Sequence, residues 1–154
     1  MTPSPNGVAI IWRPVIAVIA CALLLTACEK SSDAEQIAQN IAEMQEAVEE
    51  GSFFAIRKHL AENFVANNEL DAEEVKRMLQ VYSLQHRKID VTLVDSETQV
   101  DETLGYRAES QLSVIVTGSS GLIPSDGSIR RVDVLWEKHG GDWLVMRADW
   151  RRNR

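Results

Sequence analysis

The sequence predicts an α+β fold in which amphipathic helices come first and a curved, mostly antiparallel sheet follows. Apolar residues recur at helical spacing up to about residue 82, whereas after residue 86 they alternate with polar residues at every second position. The pair Gly140-Gly141 suits a tight turn between the last two strands. Helices followed by strands are typical of α+β domains, in which helices pack on one face of a sheet.

Three helices are predicted, each from a start signal followed by apolar residues three or four positions apart. The first begins at the capping box Ser32–Glu35 and ends near Gly51. The second is capped by Ser52 and ends at Asn67-Asn68, and the third begins at the pair Asp71–Glu74. Their apolar faces are Ile37, Ile41, Met44 and Val48; Phe53, Ile56, Leu60 and Phe64; and Val75, Met78, Leu79 and Tyr82.

Four strands are predicted after residue 86 from their alternating pattern. The first lies around Ile89–Leu93 and the second runs through Tyr106–Val116. A loop rich in Gly and Ser, Gly118–Gly127, separates them from a third strand over Ile129–Lys138. The last strand, Trp143–Trp150, completes a hairpin.

The two-residue turn fixes the pairing of this hairpin, with His139 opposite Asp142. The pairs that follow are Trp136 with Val145, Val134 with Arg147, and Val132 with Asp149. We expect this face to pack under the helices, which places Arg147 and Asp149 at the open end of an apolar cavity. A slip of one residue would invert the assignment.

The opposite face of the hairpin predicts an interface. It carries Leu135, Leu144, Met146 and Trp150 among charged residues. This is more apolar than a solvated face needs to be, so we expect a homodimer through it, with a different partner as the alternative.

The amino-terminal segment has the pattern of an export signal. An uncharged, mostly apolar run, Val15–Ala27, is too short to span a membrane. It ends in Leu25-Thr26-Ala27-Cys28, which resembles the lipobox of bacterial lipoproteins. The resemblance implies cleavage before Cys28 and a diacylglycerol group on its thiol; a secretory signal and an uncleaved anchor are the alternatives. The domains expected are residues 1–27 as signal peptide, 28–32 as lipidated cysteine and tether, and 33–154 as one α+β domain.

The residue after the lipidated cysteine bears on location. It is Glu29, not the aspartate associated with retention at the inner membrane. We therefore expect a periplasm-facing lipoprotein, with the outer membrane favoured over the inner.

Composition excludes several classes of function. The chain has 16 basic and 23 acidic residues and a net charge of −7, which argues against nucleic acid as a partner. Cys21 falls in the segment to be removed, so a disulfide framework and a cysteine zinc site are both excluded. His59, His86 and His139 lie on separate elements without metal-ligand spacing, and we expect them at the surface. No metal and no cofactor is predicted.

The order of elements and the last hairpin resemble a known superfamily. The segment Val134–Val145, with a tryptophan on either side of a glycine turn, is similar to the nuclear transport factor 2-like proteins, which include ketosteroid isomerases and SnoaL-type cyclases. The resemblance implies a cone-shaped fold with an apolar pocket. The resemblance does not extend to a complete set of catalytic residues. The first helix lacks the tyrosine of ketosteroid isomerases, and Asp149 is the only acidic residue expected to point inward.

The expected site therefore consists of Tyr82, Trp136, Arg147 and Asp149 as ligand-binding residues. Asp149 is either a general base or the ion-pair partner of Arg147, and Arg147 alternatively holds a carboxylate or phosphate. We expect a membrane-anchored lipoprotein that binds a small apolar or amphipathic molecule or serves as an accessory subunit of an envelope complex. The competing hypothesis is an isomerase or cyclase with Asp149 as general base.

Overall fold

The computed structural model describes residues 31–85, 88–118 and 129–152. The predicted signal peptide, Cys28, His86 and nearly all of the predicted loop Gly118–Gly127 lie outside the described residues. The elements are α1 (Asp33–Glu49), α2 (Phe53–Arg57), β1 (Leu60–Ala66), α3 (Ala72–Gln85), β2 (Ile89–Val100), β3 (Arg107–Gly118), β4 (Ile129–His139) and β5 (Asp142–Arg152).

The predicted starts of α1 and α3 are confirmed by their hydrogen bonds. The Ser32 hydroxyl accepts from the Glu35 amide at 3.2 Å, and the Glu35 carboxylate accepts from the Ser32 amide at 2.7 Å. Asp71 and Glu74 make the same reciprocal pair, at 2.8 and 3.0 Å. These bonds satisfy amide donors that have no partner within the helix. Gly51, with φ of 66°, follows the end of α1 as expected.

The predicted second helix is wrong over its second half. Only Phe53–Arg57 is helical, and Leu60–Ala66 forms β1. Leu60 and Phe64 are both buried, as the helical pattern required, but a strand buries residues four apart equally well. What decides the structure is a parallel pairing with β5 in which Leu60 lies opposite Val145. That partner lies far along the chain and leaves no local signal.

The five strands form one mixed sheet in the order β1-β5-β4-β3-β2. The β1–β5 pairing is parallel and the other three are antiparallel. The four predicted strands are thus confirmed, and β1 adds an edge strand beside β5. The predicted α+β class with a mostly antiparallel sheet is confirmed.

The predicted register of the last hairpin holds only as far as Trp136, which lies opposite Val145. A β-bulge follows, in which Met146 is the extra residue of β5. Beyond it the pairs are Leu135 with Arg147, Val134 with Ala148, Asp133 with Asp149, and Val132 with Trp150.

The bulge reverses the predicted faces at the end of β5, because side chains alternate strictly along a strand. Trp150 lies on the inner face with Val132, and both pack against the core. Arg147 is exposed on the outer face, and Asp149 shares that face. The predicted placement of Arg147 and Asp149 at an internal cavity is therefore wrong. The predicted homodimer patch also loses Trp150, although dimerisation stays a prediction.

Helix α1 lies across the inner face of the sheet and is hydrogen-bonded to two of its strands. The Asn40 side-chain amide donates to the Trp143 carbonyl oxygen at 2.9 Å, and the Gln45 amide donates to the Val91 carbonyl oxygen at 2.8 Å. Beneath the helix is a core of close-packed side chains: Ile37, Ile41, Phe64, Trp136, Trp143 and Val145. Among the described residues, no helix combines the length and apolar composition needed to span a membrane.

Candidate functional site

The four residues predicted to bind a ligand do not share one site. Trp136 is fully buried, and its indole nitrogen donates to the Ser110 hydroxyl at 2.9 Å, so it belongs to the core. Tyr82 is half-buried on α3. Arg147 and Asp149 lie on the other face of the sheet, and within the described part of the chain no ion pair joins them.

Asp149 does show one unusual feature. Its Oδ1 atom is buried and has no hydrogen-bond partner in the part of the chain that the structure describes. It lies opposite Asp133, which pairs with Arg151 at 2.9 Å. This carboxylate faces away from the helices, so it cannot serve as a base for a ligand held between helix and sheet.

The concave inner face of the sheet carries apolar side chains that remain partly exposed. Val114, Val132 and Trp150 are half-buried on three adjacent strands, β3, β4 and β5. Met44 from α1 and Leu79 from α3 are also partly buried and pack against the same core. The inner face of the sheet and the two helices therefore carry apolar surface that is only partly covered by protein.

A separate, polar cleft of about 270 Å³ lies beside α1. Its walls come from α1, from the segment before β1, and from the start of β5. Its polar and charged lining residues are Gln36, Gln39, Asn40, Lys58, His59 and Asp142.

Local structure explains why these side chains converge. Gln36, Gln39 and Asn40 are three and four positions apart and therefore share one side of α1. The His59 carbonyl oxygen accepts a hydrogen bond from the Val145 amide at 2.8 Å, which joins the segment before β1 to β5. The bond from Asn40 to Trp143 holds α1 against the same part of β5.

His59 is the least expected member of this cleft, because the sequence predicted a surface histidine. It is only 7% exposed. Its Nε2 atom lies 3.2 Å from Oε2 of Glu43, but outside hydrogen-bond geometry, and has no hydrogen-bond partner among the described residues. No sequence signal indicates this burial, because the apolar spacing predicts that residue 59 lies in the middle of a helix.

Glu43 links His59 to two further side chains. Its Oε2 accepts from the Lys58 ammonium at 2.9 Å, and its Oε1 accepts from the Gln39 amide at 3.1 Å. These bonds lower the pKa of Glu43, the Lys58 bond most. Burial lowers the pKa of His59, and the Lys58 charge adds to this while Glu43 opposes it. His59 is therefore a neutral imidazole at neutral pH, with one donor and one acceptor nitrogen.

No group of three or more His, Cys, Asp or Glu side chains suited to a metal ion occurs in residues 31–85, 88–118 and 129–152.

Comparison with solved structures identifies the fold. An NTF2-like protein of unknown function from Pseudomonas putida KT2440 is 18% identical with a TM-score of 0.63, over 77% of this chain and 87% of that one. A candidate dehydratase of the NTF2-like family from Streptomyces avermitilis is 16% identical with a TM-score of 0.66, over 79% and 96%. A candidate ketosteroid isomerase from Shewanella frigidimarina is 15% identical with a TM-score of 0.61, over 75% and 94%.

The chain therefore has the nuclear transport factor 2-like fold, as the resemblance of its last hairpin implied. No protein-family model matches the sequence, and no curated protein is significantly similar to it. Identities below a fifth show the fold alone, and this fold supports many unrelated activities.

Proposed function

We propose that the chain is a lipoprotein anchored through Cys28 to a bacterial membrane, with its domain in the periplasm, where it binds a small apolar or amphipathic molecule. The observation that carries the ligand proposal is the concave face between α1, α3 and the sheet. Its apolar side chains, among them Val132 and Trp150, pack on the core and still keep exposed surface. A ligand that removed this surface from water would gain about 25 cal/mol per Å² covered.

The anchor proposal is supported by the sequence Leu25-Thr26-Ala27-Cys28 after an apolar run. Two or three acyl chains, at about 0.8 kcal/mol per buried CH₂ group, would make release from the membrane negligible. The identity of Glu29 supports the outer membrane over the inner.

An accessory role in an envelope complex is the second candidate, since the same partly exposed apolar face would accept a side chain of a partner. An isomerase or cyclase has less support. Asp149 was its proposed base, and Asp149 lies on the outer face of the sheet. Dehydratase and ketosteroid isomerase are descriptions of the structural neighbours and carry over no residue to this chain.

The anchor is tested by labelling cells with a radioactive fatty acid while they express the full chain. Cys28→Ala should abolish label in the protein, whereas Cys21→Ala, which changes the other cysteine, should keep it. The labelled protein should sediment with the outer membrane on a density gradient. Label that persists in Cys28→Ala would overturn the lipoprotein proposal.

The ligand is tested by extracting the purified full chain with organic solvent and analysing the extract by mass spectrometry. We expect a stoichiometric small molecule that is lost in Val132→Gln and retained in Arg131→Gln. These neighbouring residues point to opposite faces of β4, so the pair separates the inner face from a general effect on the strand. An empty extract together with a co-purifying protein would favour the accessory subunit. Equal loss in both variants would contradict a site on the inner face.

A further inference from the structure

We propose that one end of the sheet lies against the membrane that holds the Cys28 lipid, with Leu104 and Tyr106 in the headgroup layer. This end, which we call the turn end, consists of residues 101–106 between β2 and β3 and residues 139–142 between β4 and β5. The inference rests on the proposed lipid anchor. It adds which surface of the domain meets lipid, and from which side a ligand reaches the inner face.

The first support is the short length of chain between the lipid and the domain. The helix cap Ser32 is four residues after Cys28. Four residues span at most about 14 Å when fully extended. The headgroup layer on each side of a bilayer is roughly 5–8 Å thick, so part of this length is used within it. Ser32 therefore lies no more than about 9 Å outside the headgroup layer.

The second support is the set of contacts that join the start of α1 to the turn end. Asp33, the first residue of α1, accepts hydrogen bonds from the Lys138 ammonium and from the Trp143 indole nitrogen, the latter at 3.2 Å. The Lys138 amide in turn donates to the Tyr106 carbonyl oxygen at 2.9 Å. Both turns are thus fixed beside the start of α1. The tether that holds Ser32 near the membrane therefore holds this end of the sheet there as well.

The third support is the surface that the turn between β2 and β3 presents. Leu104 is 42% exposed and Tyr106 is 46% exposed. The Asp101 carboxylate accepts from the Leu104 amide at 3.0 Å, and the Asp101 carbonyl oxygen accepts from the Gly105 amide at 2.8 Å. These bonds fix a turn in which a leucine and a tyrosine are exposed. Tyrosine suits the edge of a membrane because its ring is apolar while its hydroxyl can stay hydrated.

The charges of the turn end show how it meets the lipid. Lys138 is paired with Asp33, and Arg107 is paired with Glu137 at 3.1 Å. His139 lies 3.3 Å from the same glutamate. Attraction to anionic headgroups needs a cluster of basic side chains, whereas each of these basic residues has an acidic neighbour. The contact therefore depends on the tether and on the two exposed side chains, and it does not require anionic lipid.

This orientation separates the anchoring membrane from the apolar inner face. Val132 and Trp150 lie towards the other ends of β4 and β5. Each is about seven residues along its strand from the turn, which corresponds to about 23 Å. With the turn end against the membrane, a ligand reaches these side chains from the periplasm and not directly from the bilayer that holds the anchor.

The test uses the processed, lipidated full chain in phosphatidylcholine vesicles, a fraction of whose lipids carry a nitroxide on the headgroup. The proposed processing removes Cys21 and blocks the Cys28 thiol, so an introduced cysteine is the one free thiol and takes a fluorescent label. Three variants place the label at the turn end: Leu104→Cys, Tyr106→Cys and His139→Cys. Quenching of the label by the nitroxide measures contact with the headgroup layer.

Two control positions lie elsewhere on the domain. Ile129→Cys is close to Leu104 in exposure, at 37%, and lies at the far end of β4, about 33 Å from the turn. Leu84→Cys, at a position 89% exposed on α3, tests whether the domain lies on that helix instead. We expect quenching several-fold stronger at the three turn positions than at either control. Equal parts of phosphatidylcholine and phosphatidylglycerol in the vesicles should leave this order unchanged.

Two results would overturn the orientation in chains that float with the vesicles: quenching at the turn positions no stronger than at Ile129, or stronger quenching at Leu84. A chain that does not float, or whose Cys28 takes the label, would overturn the anchor and the orientation together. Flotation thus separates the two failures. Circular dichroism checks that each variant is folded, and the turn positions lie on two different turns, so one misfolded variant leaves the others to decide.

Discussion

Because of the bulge in β5, Arg147 and Trp150 lie on opposite faces of the sheet, and substitutions at the two positions should affect stability differently. Trp150 is more than half buried on the inner face, across from Val132. A buried tryptophan removes about 150–250 Å² from water, so truncation to alanine at this partly exposed site should expose roughly 100 Å² of apolar surface. At about 25 cal/mol per Å², Trp150→Ala should lower the free energy of unfolding by about 2–3 kcal/mol. Arg147→Ala, at an exposed position, should change it by no more than about 0.5 kcal/mol.

Urea unfolding of the full chain, followed by circular dichroism, measures both free energies. A hairpin without the bulge would put Arg147 inside and Trp150 outside, and the order of the two effects would reverse. If Arg147→Ala proves the more destabilising substitution, the bulge is misplaced and with it the inner face on which the ligand proposal depends. The backbone amide of residue 150 donates to the Asn67 side-chain oxygen at 2.9 Å. Trp150→Ala retains this amide, so the difference in free energy reports the loss of the side chain.

Two further predictions concern buried polar groups. Ser110→Ala removes the acceptor of the buried Trp136 indole N–H, which lies 2.9 Å away, and should lower the free energy of unfolding in urea by about 1–3 kcal/mol. Ser113→Ala, on the other face of the same strand, is the control and should have a smaller effect. Equal effects of the two substitutions would contradict the hydrogen bond between Ser110 and Trp136. The pKa of His59 is lowered from its ordinary 6.5 by burial, so the folded state binds this proton less readily than the unfolded state. The contribution of His59 to the free energy of unfolding should therefore be complete above about pH 6.5 and should fall as the pH decreases through 6.5 towards the folded-state pKa. His59→Phe should flatten the dependence of the free energy of unfolding on pH below 6.5. A pH dependence that is unchanged in His59→Phe would refute the reasoning.

The features that the sequence predicted correctly are local. The capping boxes of α1 and α3 involve residues three apart, and the turn at Gly140-Gly141, with φ of 62° and 108°, needs only two residues. Alternation over β2, β3, β4 and β5 is also visible within each segment. The class of fold follows from the order of these elements, because helices followed by strands have few ways to bury their apolar faces.

The features that escaped prediction depend on distant parts of the chain. Leu60 and Phe64 fit a helix and a strand equally well, and only the pairing of β1 with β5 decides between them. The bulge at Met146 has no local sequence signal of its own, yet it exchanged the faces of Arg147 and Trp150. The burial of His59 could not be predicted for the same reason, since it follows from the pairing of β1 with β5.

The parallel pairing of β1 with β5 also constrains the order of events during synthesis. β1 lies at the edge of the sheet, and its partner β5 is the last of the five described strands to be synthesised. Until β5 emerges, β1 has an unpaired backbone and apolar side chains with no sheet to cover them, which is a hazard for aggregation. The domain cannot fold progressively from its amino terminus, and a chain exported across a membrane would complete its sheet only after β5 had crossed.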